Sequence, residues 1–181
     1  MDQKELKASV REAKHGSAQA FGRLYAKYAA DLYRFALWYL HSEADAEDAV
    51  QDACLHAFKN LKSLKKEEAF RSWFFKILAN ICRDKLSRAS KLSVVSIDDP
   101  DSFSDLADDT SQSFTAMSDL GGLIAALGEP DSQIVLLSSA AGFTSKEIGS
   151  MLKLNSSTVR SKLSRSLAKL KEQLEKEEYS V

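Results

Sequence analysis

Residues that break or interrupt helices are scarce here: two prolines and seven glycines among 181 residues. Apolar residues mostly recur at intervals of three and four, so the expected fold is all-α. No apolar run approaches ~18 residues, which excludes a membrane-spanning helix. The N-terminus, Met1-Asp2-Gln3-Lys4-Glu5, is charged and lacks the apolar core of a secretory signal, so a cytoplasmic protein is expected. The only cysteines, Cys54 and Cys82, are isolated and lie on apolar helix faces, as reduced, buried thiols do. His56, two residues from Cys54, has poor ligand geometry on a helix, and no metal site is expected. Also missing are paired carboxylates in an apolar setting, a Ser/His/Asp spacing and a Gly-rich phosphate loop. An enzyme is therefore the least favoured class, and neither a cofactor nor a small-molecule substrate is expected.

Charge of one sign is missing from whole stretches. Residues 92–145 contain no Lys or Arg against nine acids, a net of −9. Residues 1–91 hold 17 Lys/Arg against 12 Asp/Glu, and residues 146–181 hold eight against five. The overall charge of −1 thus conceals two basic blocks around an acidic one. That pattern suggests two polyanion-binding modules joined by a segment that avoids polyanions. Three parts are expected: a helical domain over 1–91, a flexible acidic linker over 92–118 and a second helical domain over 119–181.

What is present in the first block is helical. Leu6 and Val10 face inward on a short helix over Lys4 to Ala13, and Ser17 can cap the next one. That helix carries Phe21, Leu24, Tyr25, Tyr28, Leu32, Phe35, Ala36, Tyr39 and Leu40, a spacing that reads as core. Ser42 restarts the chain with a cap, and Ala46, Ala49, Val50, Ala53, Cys54, Ala57, Phe58 and Leu61 share one face. The other face shows Glu47, Asp48, Gln51 and Asp52. The helix dipole accounts for charges in the first turn, but Gln51 and Asp52 sit too far in to gain much from it. An exposed protein-docking face is the sharper account. After a polar loop over Ser63–Glu68, the next helix buries Phe70, Trp73, Phe74, Ile77, Leu78, Ile81 and Cys82. It exposes Arg71, Lys76, Asn80, Arg83, Asp84, Lys85 and Arg88. Basic residues interleaved with aromatics suit opened nucleic acid, although burial explains Trp73 and Phe74 equally well.

The second block has a weak helix over Asp119–Leu127, where Gly121 and Gly122 should each cost about 1 kcal/mol relative to Ala. Pro130 can open a further helix, with Ile134, Val135 and Leu137 inward, and Gly142 can end it. Thr144-Ser145-Lys146-Glu147 is a capping box ahead of Ile148, Met151 and Leu152. Lys153-Leu154-Asn155 reads as a turn. A last helix from Ser156 has the apolar stripe Val159, Leu163, Leu167, Leu170 and Leu174. Opposite it lie Ser157, Ser161, Ser164 and Arg165, flanked by Arg160 and Lys169. From Asn155 to Lys171 there are five basic residues and no acid. An amphipathic helix with a solvated basic face is the plain account; a recognition helix for the DNA major groove is the sharper one.

Taken in order, these pieces resemble a sigma factor of bacterial RNA polymerase, of the extracytoplasmic-function group. Asp45-Ala46-Glu47-Asp48-Ala49-Val50-Gln51-Asp52 is similar to that family's polymerase-docking motif. Phe70, Trp73, Ile77, Asn80, Asp84 and Arg88 follow its promoter-melting helix. Gly142 to Gly149 and Thr158 to Leu163 match its helix-turn-helix. The resemblance implies that Glu47, Asp48, Gln51 and Asp52 contact the clamp helices of core RNA polymerase. It implies that the loop Ser63–Phe70, with Lys65 and Lys66, holds a base flipped from the −10 element. Arg71, Asn80, Arg83, Lys85 and Arg88 would contact the promoter DNA strands there. Ser157, Arg160, Ser161, Ser164 and Arg165 would read the −35 element, with Lys146 and Lys162 on phosphates. The acidic linker would enter the polymerase's RNA path, and an anti-sigma factor, tethered to a membrane or free, would be a partner. One departure is that Asp131–Ala141 carries no Lys or Arg where the group carries them. Two other classes compete: a stand-alone helix-turn-helix regulator, for which the docking motif has no use, and a helical adaptor without DNA binding, against which the acid-free stretch argues.

Overall fold

The computed structural model describes residues 1–95 and 120–178 (side chains of 1–88 and 120–176), and among these every regular element is helical. In the first half, α1 (Gln3–Lys14) begins on a capping box in which Asp2 and Glu5 exchange hydrogen bonds of 2.8 Å. The Ser17 hydroxyl accepts from Ala20 N at 3.2 Å and starts α2 (Ala18–Leu40). Its end is His41 in the left-handed region at φ 55°. Ser42 then accepts from Asp45 N at 3.2 Å and starts α3 (Glu43–Asn60). The expected polar loop is more ordered than its composition suggests. Two 3-10 turns, Leu61–Ser63 and Glu67–Ala69, flank a buried Leu64 and lead into α4 (Phe70–Val95).

α4 runs past residue 91, so the first four residues of the expected linker are helical, and the remainder lies outside the described residues. The second half opens with helical residues 120–125 (α5), followed by α6 (Asp131–Ser139), α7 (Ser145–Leu152) and α8 (Ser156–Glu178). Pro130 is the N-cap of α6, one position before the expected one, and follows a cis bond from Glu129. Gly142 sits at φ 66° and donates to Ser138 O at 3.1 Å, closing the path from α6 to α7.

The buried apolar side chains of the two halves belong to one cluster. Leu24, Leu32, Phe35, Phe70, Phe74 and Leu78 are fully buried in the first, and Ile134, Leu137, Ile148 and Val159 in the second. At about 1.5–3 kcal/mol per large apolar side chain, such burial suffices to hold short helices together. Several expectations need correction. On α8 the buried set is Val159, Ser166 and Leu170, while Leu167 and Leu174 are 44% and 41% exposed. Because Leu170 is buried and Leu167 is not, the covered face runs through Val159, Ser166 and Leu170, and Leu167 falls to one side of it. On α3, Phe58 is exposed and Cys54 half-buried, because α2 and α4 cover only its alanine side. On α4, Trp73, Ile77 and Ile81 are half-buried, and Phe75 and Ala79 take interior places instead. Among the described residues no helix is long and apolar enough to cross a membrane, and no group of three or more His, Cys, Asp or Glu could hold a metal ion.

Candidate nucleic-acid interface

The helix-turn-helix is built by a cap, a glycine and one left-handed residue. Thr144 Oγ1 accepts from Glu147 N at 3.3 Å, while Glu147 Oε2 accepts from Thr144 N at 2.8 Å and from the Thr144 hydroxyl at 2.7 Å. The Thr144 bonds, with Arg71 as a weaker influence, hold the Glu147 carboxyl below the usual range. α7 ends at Lys153, φ 59°, whose conformation turns the chain back so that Leu154 N donates to Gly149 O at 2.9 Å. A Cβ at Gly149 would lie 2.5 Å from Leu154 O, so only glycine lets the turn close this tightly.

α8 leaves that turn with Val159 against α7, and Ser157, Arg160, Ser161, Ser164 and Arg165 face solvent. Arg165 Nε donates to Ser161 O at 3.2 Å, along the helix surface. Lys146 is exposed on the first turn of α7. Lys162 is placed differently from the rest: its Nζ lies 2.8 Å from Asp131 Oδ1 and ties α8 to α6. Its expected phosphate contact would compete with that ion pair.

In the first half, Lys65 and Lys66 are exposed on the loop between the two 3-10 turns. α1 braces that loop through Lys7 to Glu68 at 2.5 Å, Arg11 to Glu67 at 3.4 Å and Lys14 to the Leu64 carbonyl. Trp73, Lys76, Ile77 and Asn80 are half-buried, and Arg83 and Arg88 exposed, on one side of α4. Flat apolar edges and polar heads thus share a surface, with Trp73 resting on Phe70 at 6.1 Å between centroids. Two of the expected strand-contacting residues are engaged elsewhere. Lys85 sits 3.8 Å from both Asp45 and Asp48, bridging α4 to α3. Arg71 turns toward the second half, donating to the Ala141 carbonyl with its guanidinium 4.2 Å from the Phe143 ring centre.

Glu47, Asp48, Gln51 and Asp52 are all exposed on α3. One helical turn beyond Gln51 and Asp52, and two beyond Asp48, stands Leu55, 58% exposed. The sequence reading misses it, since a single leucine after an acidic run carries no periodic signal. Its chemical meaning emerges only when the surrounding face is seen to be open.

Residues 24–92 match the family described as Sigma-70 region 2, and residues 118–170 match Sigma-70, region 4. The ECF RNA polymerase sigma factor SigM of Mycobacterium tuberculosis is 30% identical over 155 residues, 86% of this chain and 77% of that protein. The RNA polymerase sigma factor CnrH of Cupriavidus metallidurans is 27% identical over 169 residues, 88% of each. A solved structure of CnrH with the cytosolic domain of CnrY has the same fold, with a TM-score of 0.73 at 23% identity, covering 94% of this chain and 97% of that one. The sigma factor RpoE of Bartonella quintana, solved with the anti-sigma factor NepR, gives a TM-score of 0.69 at 20% identity over 87% of this chain and 98% of that one.

Proposed function

The chain belongs to the sigma factors of bacterial RNA polymerase, in the extracytoplasmic-function group, and on that footing we propose how its residues divide the work. It binds core RNA polymerase and directs initiation at specific promoters; a stand-alone regulator is not favoured. In our reading, residues 1–91 dock the polymerase and recognise and melt the −10 element, and residues 119–181 recognise the −35 element. Catalysis belongs to the polymerase, and the protein works in the cytoplasm alongside it.

At the −35 element, Arg160 and Arg165 supply forked donors for guanine edges or phosphates, and Ser157, Ser161 and Ser164 supply short hydroxyls that allow close approach. Lys146, at the start of α7, adds charge where helix amides already favour a phosphate. At the −10 element, Lys65, Lys66, Arg83 and Arg88 hold the backbone, while Asn80, Trp73 and Ile77 offer polar and flat surfaces to unstacked bases. Glu47, Asp48, Gln51 and Asp52 meet the basic clamp helices, with Leu55 desolvated among them. An anti-sigma factor, tethered to a membrane or free, is a further partner we propose from group membership. The observation that carries the reading is the composition of α8: an outer face of Arg and Ser, without acid from Asn155 to Lys171, on a helix-turn-helix whose turn Gly149 makes possible.

Run-off transcription with purified core polymerase on a promoter-fragment library tests it. Transcripts that require this protein are expected, and their start regions would define both elements together. Absence of such transcripts, with no binding to core polymerase, would overturn the reading.

A further inference from the structure

Helix α1 has no part in the docking, −10 or −35 faces assigned above, yet it reaches one of them. Lys7, Arg11 and Lys14 follow one another at four and three residues, so they form one stripe of its surface. Each ends on the loop between α3 and α4. Lys7 Nζ lies 2.5 Å from Glu68, Arg11 Nε donates to Glu67 at 3.4 Å, and Lys14 Nζ donates to the Leu64 carbonyl at 2.5 Å. α1 is itself well held: Leu6, Val10 and Ala13 are buried, Glu12 pairs with Arg23 of α2 at 2.6 Å, and the Asp2–Glu5 box fixes the first turn. The stripe is a fixed support.

The loop sets two cations, Lys65 and Lys66, directly before two anions, Glu67 and Glu68. Folding sorts them. Lys65 and Lys66 are left exposed, while both glutamates pair with α1. The Glu68 carboxyl is held below its usual range first by Lys7, and that of Glu67 by its own backbone N–H, with Arg11 adding to it. Ion pairs this exposed add little to stability. Their larger effect is on where charge stands. Unpaired, the two carboxylates would repel the same phosphates that Lys65 and Lys66 attract. Lys14 acts differently: it gives the Leu64 carbonyl a donor where the Leu64 side chain is buried, and so pins the turn between the two 3-10 segments.

We propose that α1 is a positioning element for −10 recognition: Lys7 and Arg11 withdraw Glu67 and Glu68 from the DNA, and Lys14 fixes the turn that presents Lys65 and Lys66. This role rests on the assignment of the Ser63–Phe70 loop to the −10 element. The three α1 cations act through the loop and touch no DNA.

Run-off transcription by the full chain with core polymerase tests it, on promoters that vary each −10 base beside a constant −35 element. Lys7→Ala with Arg11→Ala should lower transcription about tenfold, with affinity for core polymerase and for −35 duplex unchanged. Adding Glu67→Gln and Glu68→Gln should restore output to within about threefold of wild type, because no bare carboxylate remains. The charge-keeping exchange Lys7→Arg with Arg11→Lys should stay near wild type. Arg11 is 64% exposed, so Arg11→Ala alone, expected to cost about threefold, carries the test should the double variant misfold. Lys14→Met should alter which −10 bases are preferred, and an unaltered preference would strike Lys14 from the brace. Unchanged transcription in the alanine variants, or a loss that the glutamine pair does not restore, would overturn the withdrawal of the carboxylates. Lys65→Ala with Lys66→Ala separates this from the reading beneath it. If that pair is silent, the loop does not serve the −10 element and the role of α1 falls with it. If that pair is costly while Lys7 and Arg11 are silent, the −10 assignment stands and only the brace is overturned.

Discussion

Leu55 shows how a single side chain changes meaning once its neighbours are placed. At 58% exposed, it stands one helical turn beyond Gln51 and Asp52, a leucine that gains from a partner's surface what water cannot give. We expect Leu55→Asp to weaken binding to core polymerase by roughly tenfold, the scale of a modest interface anchor, without altering the thermal midpoint. A titration of labelled core polymerase measures it; unchanged affinity would remove Leu55 from the docking face. Other single residues were only partly legible from the sequence. Cys82 is buried as expected, its thiol pushed up to about 12 by desolvation, but Cys54 is half-buried because the alanines beside it already satisfy the helix contact. Arg71 and Lys85 read as free cations in the sequence. Folding gives them partners more than 30 residues away, and no local pattern encodes those pairings.

Among the elements, those with strong local chemistry were the most legible. The Thr144–Glu147 box, the Ser17 and Ser42 caps and the left-handed Gly142 depend on atoms within a few residues, and each is found where expected. That locality permits a sharp pH prediction. The folded-state pKa of Glu147 is held below its unfolded value by Thr144, so its contribution is complete above the ordinary glutamate range of about 4.3 and is lost as pH falls through the folded value. The stability gap between wild type and Glu147→Gln should therefore stay constant from neutral pH down to about 5 and close below that. Denaturant melts across that range decide it, and a gap unchanged down to pH 3 would contradict the assignment. α8 was less legible. Its periodic stripe of leucines is real, yet which of them is covered depends on the faces that α6 and α7 present, and Leu167 and Leu174 are left uncovered while Ser166 and Leu170 are buried.

For the whole molecule, charge is distributed by block, and net charge misleads. With an overall −1, the free protein has little general attraction for DNA, so affinity depends on a few placed cations. Removing one of them should register as a loss of counterion release. Arg160→Ala should flatten the log–log salt dependence of −35 duplex binding by about 0.9 if it holds a phosphate. An unchanged slope with altered sequence preference would assign Arg160 to base edges instead. The all-helical class and the caps were available from residue spacing alone, because helix periodicity and capping are short-range properties of a chain; the resemblance to sigma factors came from motifs, which spacing does not supply. Where the modules meet was not. Arg71 bonds Ala141 across 70 positions and Gln133 bonds Tyr39 across 94, and such contacts exist only after each helix has presented a particular face to another. Long-range shape complementarity, rather than local propensity, sets the partners of Arg71 and the burial of Phe75.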